Sequence, residues 1–573
     1  MAFVAAMNST PTKAGVKGSD VYTEAGVGDS RVVLFQQLVR GLDRKEIRRI
    51  LYKAPEEHLV DYLVMAFQTR DVRGGKGEKA LFYEMLDVLF VRRPDWIVPV
   101  VELIPTYGYW KDLWVMYERM WIADETNGKA VRLAINALVK RQFEADLAAE
   151  APSLLAKWLP REKSANRKLA RRFAGFLFGH MEGANDRAEQ SSDRSAQPAK
   201  PAADDDKLAA YRKAVAALNK KLATVEIAMC GAAWREIKPG TVPGRCLLKN
   251  RKAFLLQHKR AKLVAHLEDR IACRDRFVAH ITGGGAVKGA GVVYPHEIVA
   301  RLLGGADPDE QALLEGQWAS IRTAAAGGFR RIVPLCDFSG SMNGTPLLVS
   351  LALGILISEI ASPAFKDHIL GFDSNPSWIS FKDCGSLKEK IDWGLQHAQG
   401  TSTDFQAACD LVLKRLVECA VPADEAPEDL LVFTDMGFDQ ACDAGLRSGF
   451  TGNSYGHVVK SAVWQTHCQM IRTAFEAAGY RAPRIIIWNL RAAYKDFHAK
   501  AEEEGVLLLS GWSPAVLKII QSGGVKIQTP YEAVRAVLDD ERYDAVRAVG
   551  SGAAIAVGGS AAIGGAGAGS DTA

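Results

Sequence analysis

Two hydrophobic rhythms divide the chain. Up to about residue 327 apolar residues recur every three or four positions, as in Val32, Val33, Phe35, Leu38, Val39 and Leu42, and the stripe resumes at 47–52, 59–67, 80–90, 96–103 and 110–120. Further helices are expected at 129–147, 168–179, 208–222, 252–266 and 295–303. Short helices joined by Pro- or Gly-bearing turns predict antiparallel pairs, in the manner of a HEAT-like α-helical repeat, although no clean sequence period is present. Beyond Arg330 the apolar residues gather instead into short β-rich runs at 332–336, 369–372, 430–433, 484–488 and 506–509. Helical segments at 347–359, 405–418, 461–479 and 514–521 lie between them. Strands alternating with helices predict a mostly parallel, doubly wound sheet covered on both faces.

The segments without either rhythm set the expected boundaries. Residues 1–28, rich in Gly, Ser, Thr and Ala, predict a flexible lead-in. A helical region follows over 29–327, interrupted at 183–206 by an Ala, Ser, Pro and Asp stretch too polar to order itself. The α/β region spans 328–546, and the Gly- and Ala-rich residues 547–573 form a disordered tail.

Composition adds exclusions. A chain of 573 residues, 48% hydrophobic and 24% charged, is that of an ordinary soluble protein with more than one globular unit. No apolar run approaches about 18 residues and the N-terminus lacks a signal-like pattern, so a cytoplasmic protein without a membrane segment is expected. The nine cysteines are scattered and never form Cys-x-x-Cys, against a disulfide framework or a zinc site. There is no His-Glu-x-x-His and no phosphate-binding Gly-x-x-x-x-Gly-Lys-Ser/Thr loop. Charge is uneven: residues 157–276 hold 27 Lys and Arg against 13 Asp and Glu, within a chain whose net charge is only +5. Such an excess suits an anionic partner, and equally suits wet helix faces.

The chemistry concentrates where the apolar runs of the second half stop. Ile332–Cys336 ends at Asp337-Phe338-Ser339-Gly340-Ser341, one carboxylate and two hydroxyls. Thr403-Asp404-Phe405 opens a helix, and Leu431-Val432-Phe433-Thr434 ends at a second carboxylate, Asp435. In a doubly wound sheet these loops converge at the C-terminal ends of adjacent strands. Hard oxygen donors there suit Mg²⁺ or another divalent cation. Asp-x-Ser-x-Ser alone is also an ordinary capped loop. A haloacid-dehalogenase-type nucleophile needs a second acid where Ser339 stands, and no paired base accompanies Ser341 or Ser513, so ligand capture without catalysis is expected.

These three segments resemble the metal-ion-dependent adhesion site of von Willebrand factor A domains. The resemblance implies Ser339, Ser341 and Thr403 as hydroxyl ligands, with Asp337 and Asp435 binding directly or through water. Thr69–Lys79 (Thr-Arg-Asp-Val-Arg-Gly-Gly-Lys-Gly-Glu-Lys), Ile104–Leu113 and Lys157–Glu162 resemble the helical part of the domain of unknown function 2828 family, which is similar to the Ro/TROVE ribonucleoproteins. This implies a helical-repeat domain followed by a Rossmann-like von Willebrand A domain, with small structured RNA held on a basic helical ring.

Candidate RNA contacts are Arg70, Arg73, Lys76, Lys79, Lys111, Arg161, Arg171 and Arg172. The first four crowd a glycine-bearing turn that suits a phosphate. The glycines suit helix termination equally well, with Asp71 pairing an arginine. Tyr107, Tyr109, Trp110, Trp114, Trp158 and Trp234 suit either base stacking or core packing. The alternative function is a protein-interaction adaptor, in which the metal takes a carboxylate from a protein partner and no RNA is bound.

Overall fold

The computed structural model describes residues 12–123, 125–179, 202–257, 267–327, 331–372, 375–398, 403–438, 467–523 and 529–552. The chain divides into two compact units, one of residues 1–88 and 238–547, the other of residues 89–237 with 548–573.

The first unit is built on a sheet of six strands in the order β5-β4-β3-β6-β7-β8: β3 (Ile332–Asp337), β4 (His368–Phe372), β5 (Ser377–Ser380), β6 (Asp429–Thr434), β7 (Arg484–Asn489) and β8 (Val506–Ser510). All pairs are parallel except β4 with β5. The inner strands read as near-continuous apolar runs because both faces are covered, and β3 is buried at all six positions. Strand order reverses at β3, which has β4 on one side and β6 on the other, so a crevice opens where their following loops part.

Helix Thr345–Ile360 is apolar all round, and residues Val349–Ser358 are buried, because it lies against β3 and β4 and also against helices Pro295–Leu303 and Pro308–Ala325. It comes close enough to β3 that a Cβ on Gly354 would stand 2.4 Å from Cys336 Sγ. On the β8 side the cover comes from the start of the chain. Helix Ser30–Gln37 packs on β7 and β8, and Asn489 Nδ2 donates to the Gln36 carbonyl at 3.1 Å. The wholly buried Lys76 joins the same two layers, its ammonium donating to Phe35 O at 2.8 Å, Leu38 O at 3.2 Å and Ser510 Oγ at 2.7 Å. Helix Leu59–Arg70 lies against Pro530–Leu538, where Asp61 accepts from both Arg31 and Arg535.

The second unit is helical. Ile97–Tyr107, Trp110–Ala123, Glu125–Ala148, Arg167–Phe178 and Ala202–Leu222 enclose Val101, Ile104, Leu113, Ile135, Val139 and Phe173. Trp114 is central: its ring meets Phe173 edge-on at 5.0 Å, and its Nε1 donates to the Trp158 carbonyl at 2.8 Å.

Four expectations are corrected. Within 1–28, residues 12–28 are ordered: β1 (Thr12–Ala14) and β2 (Asp20–Tyr22) form an antiparallel hairpin, and Glu24–Val27 is a helical turn capped by Thr23. The hairpin is held by residues 496 and 497, so no local rhythm announces it. Ala202–Asp206, placed in the polar insert, begin helix Ala202–Leu222, and residues 547–551 of the expected tail close helix Asp544–Ser551. The helix expected at 252–266 is instead Gly244–Phe254, ending where Leu256 takes a positive φ of 57°. Residues 1–11, 183–201, 258–266 and 553–573 of these segments lie outside the described residues. No described helix is long and apolar enough to cross a membrane.

Candidate metal centre

Asp337 is the last residue of β3 and Asp435 follows the last residue of β6, so register alone carries both carboxylates to the crevice at the strand-order reversal. Asp337, Thr403 and Asp435 are fully buried, Ser339 is 1% exposed and Ser341 is half-buried. Asp337 Oδ1 accepts from the Ser339 backbone N–H at 2.9 Å, and Asp337 Oδ2 accepts from the Thr434 hydroxyl at 2.8 Å. The Ser339 and Ser341 hydroxyl oxygens lie 3.1 Å apart. Asp435 Oδ1 accepts from Gly437 N at 3.2 Å, while its Oδ2 is buried without a hydrogen-bond partner.

That orphaned carboxylate oxygen is a test of fit. An unpaired buried oxygen costs free energy, and a second buried carboxylate beside it adds like-charge repulsion. Burial first, and then the charge of Asp435, push the Asp337 carboxyl up to about 7. A divalent cation would answer both costs, and the groups joined here are all oxygens: two carboxylates with the Ser339 and Ser341 hydroxyls, while the buried Thr403 hydroxyl accepts from Lys17. The residues present therefore fit a hard cation such as Mg²⁺. Among the described residues no three His, Cys, Asp or Glu side chains gather as a metal site.

Residues that the sequence did not single out shape the site. Met436 has φ +77°, a left-handed conformation unfavourable for its side chain. It is held there by its N–H on Thr434 Oγ1 at 3.2 Å and its carbonyl 3.0 Å from His498 Nε2. Strain of this kind at the turn directly after Asp435 fixes where the backbone leaves β6. Tyr494 stands against the same turn: a Cβ on Gly437 would be 2.7 Å from its ring. Arg491 donates to the Ser341 carbonyl, adding a cation at the rim. Lys17, from the turn between β1 and β2, donates to Thr403 Oγ1 at 2.5 Å. Local sequence carries no signal for Lys17, Arg491 or Tyr494, since each meets the site from a distant segment.

The eight candidate RNA contacts separate. Arg70 is 3% exposed and Lys76 is fully buried, so neither offers a cation to a surface. The glycine turn itself is a helix end. Lys76 N and Glu78 N donate back to Gln68 O and Thr69 O at 3.0 and 2.7 Å, and a Cβ on Gly75 would fall 1.8 Å from Gln68 O. Asp71 pairs with Arg542, accepting from its Nη2 at 2.9 Å and from its Nε. These backbone groups and this carboxylate are committed to folding and cannot cradle a phosphate. Arg73 and Lys79 are exposed. In the helical unit Lys111, Arg161, Arg171 and Arg172 are all exposed. Tyr107, Trp114 and Trp234 are core residues. Tyr109 is 37% exposed, and its ring lies 5.8 Å from that of half-buried Trp158.

Over residues 331–551 the chain matches a protein family described as a domain of unknown function, DUF7788. Over 515 residues, 86% of this chain and 82% of the other, it is 26% identical to "Uncharacterized protein L728" of Acanthamoeba polyphaga mimivirus. The family match takes in the segments that carry Asp337, Thr403 and Asp435.

Proposed function

We propose that the protein is a non-enzymatic, divalent-cation-dependent binding protein with an RNA-holding helical unit. The observation that carries the metal half is Asp435 Oδ2, a buried oxygen without a partner beside the buried carboxyl of Asp337. Asp337, Ser339, Ser341, Thr403 and Asp435 would hold Mg²⁺. When bound, the ion supplies a coordination position for an acidic group of a protein partner, as the resemblance to von Willebrand A domains implies. Ser339 and Ser341 orient their hydroxyls from one short turn, and Thr434 steadies Asp337.

The RNA half rests on the resemblance to Ro/TROVE proteins and on the helical unit's surface. Lys111, Arg161, Arg171 and Arg172 present cations, and the Tyr109–Trp158 pair offers a partly exposed aromatic face with Lys157 Nζ 5.8 Å from the Trp158 ring centre. A basic surface of this kind binds structured RNA through phosphates. The burial of Arg70 and Lys76 favours a second reading, an adaptor that binds protein at the metal and no RNA.

One experiment separates them. The RNA-holding reading expects filter retention of structured RNA at about 50 mM salt that weakens steeply as salt rises. Replacing Lys111, Arg161, Arg171 and Arg172 together by alanine then lowers both affinity and salt slope. If the wild-type chain retains no more RNA than an acidic control protein, yet holds a protein partner that chelation releases, the adaptor reading replaces it.

A further inference from the structure

A cation from the start of the chain reaches a candidate ligand of the metal centre. Lys17 sits at the tip of the β1–β2 hairpin, 386 residues before Thr403, and its ammonium donates to the hydroxyl that would ligate the metal. The tip is built to place it. Gly15 N donates to Ser19 O at 2.7 Å and Gly18 N to Gly15 O at 3.0 Å, with Gly18 at φ +90°, a conformation glycine adopts at little cost.

One buried carboxylate pins this turn. Asp496, 1% exposed, accepts from Val16 N at 2.9 Å through one oxygen and from Lys13 Nζ at 3.1 Å through the other. Farther along, Tyr22 N donates to Phe497 O at 2.8 Å. The segment that anchors the hairpin also carries Tyr494, whose ring lies against the Gly437 turn beneath Asp435. Hairpin and metal site thus share a support, and Val16 at the tip is 64% exposed, open to anything that would lift it.

We propose that Lys17 is a tethered cation at the Thr403 edge of the candidate metal centre, held on a hydroxyl that a divalent ion would also use, so that metal binding requires the hairpin tip to withdraw. This rests on reading the site as a divalent-cation centre. The reason is electrostatic. An ammonium donating to Thr403 Oγ1 and a divalent ion bound to the same oxygen lie within one small, poorly solvated space, where like charges repel strongly. The two states exclude each other, and binding of the ion releases the hairpin from its turn.

The test is a Mn²⁺ titration, followed by the paramagnetic signal of the free ion, of the full chain and its Lys17→Met, Asp496→Asn and Asp337→Asn variants. Lys17→Met removes the cation at a half-buried turn position, and Asp496→Asn keeps the cation but loosens its anchor, so the two disturb the fold differently. The proposal expects about tenfold or tighter Mn²⁺ binding for both, from relief of like-charge repulsion. It also expects faster hydrogen exchange at residues 12–19 when Mn²⁺ is added to the wild-type chain. Asp337→Asn abolishes binding in every background. If Lys17→Met binds Mn²⁺ no more tightly than wild type while Asp337→Asn abolishes it, the metal centre stands and the tethered cation is overturned. If Asp337→Asn leaves Mn²⁺ binding unchanged, or no variant binds, the metal reading itself falls and takes the proposal with it.

Discussion

Asp337 and Asp435 are two buried carboxylates side by side, and the hydrogen bonds they accept come from neutral groups. Their oxygens are partly paid in hydrogen bonds from Ser339 N, Thr434 and Gly437 N, and Asp435 Oδ2 receives none. An isosteric amide at residue 435 removes the like charge while keeping the shape. Asp435→Asn therefore raises stability without divalent ions, by on the order of 1 kcal/mol and with a higher melting temperature, and loses the further rise that millimolar Mg²⁺ gives the wild type. Melts with and without Mg²⁺ read both effects, and a variant that still gains stability from Mg²⁺ sinks the assignment. Asp337, Ser339, Ser341 and Asp435 could be picked out because each terminates or follows an apolar run, and Thr403 because it stands just before a helix. Lys17 could not, because hydrogen bonds that join residue 17 to 403, or 16 to 496, leave no trace in spacing. Arg70 and Lys76 misled for the opposite reason: a cluster of cations beside glycines looks the same whether its charges face water or carbonyl groups.

Among the elements, the long parallel strands were readable to within a residue or two, since burial on both faces makes each a continuous apolar run. Edge strand β5, Ser377–Ser380, was missed: it is four residues long and exposed or half-buried at all but Ile379. Helix Thr345–Ile360 shows how tightly the sheet's cover is fitted. Gly354→Ala adds one methyl group directly against Cys336 Sγ, and helix or strand must shift to take it. The expected cost is about 1–3 kcal/mol. Denaturant unfolding measures it, and Gly354→Ala combined with Cys336→Ala recovers part of the loss if the clash is the cause. A loss that the double variant leaves unchanged would assign the effect elsewhere.

At the scale of the molecule, the first unit packs helix Ser30–Gln37 and the strands of the second half of the chain into one core, and a buried imidazole makes that core sensitive to acid. His296 lies 5.5 Å from the Tyr294 ring and 5.3 Å from Trp512, with Arg40 and Arg245 nearby, and burial pulls its pKa down to about 4. The folded chain resists protonation that the unfolded chain accepts below about 6.5, so the unfolded state binds more protons and stability declines as pH falls from about 6.5 to about 4. His296→Phe keeps a ring in the cluster and flattens that stretch of the stability profile. An unchanged slope in chemical unfolding between pH 7 and 5 would remove His296 as its source. Neither this cluster nor the return of the chain's beginning to its last strands could be read from local pattern, because both are products of contacts across hundreds of residues.

The packing of helix Ser30–Gln37 on β7 and β8 has a consequence for how the protein is made. The ribosome delivers that helix first and the strands it covers more than four hundred residues later. Until then its apolar face has no native partner, and a nascent chain left waiting with such a face exposed is prone to mispairing. Synthesis of the last strands, and the arrival of Ser510 beneath Lys76, therefore set the moment at which the first helices acquire their place.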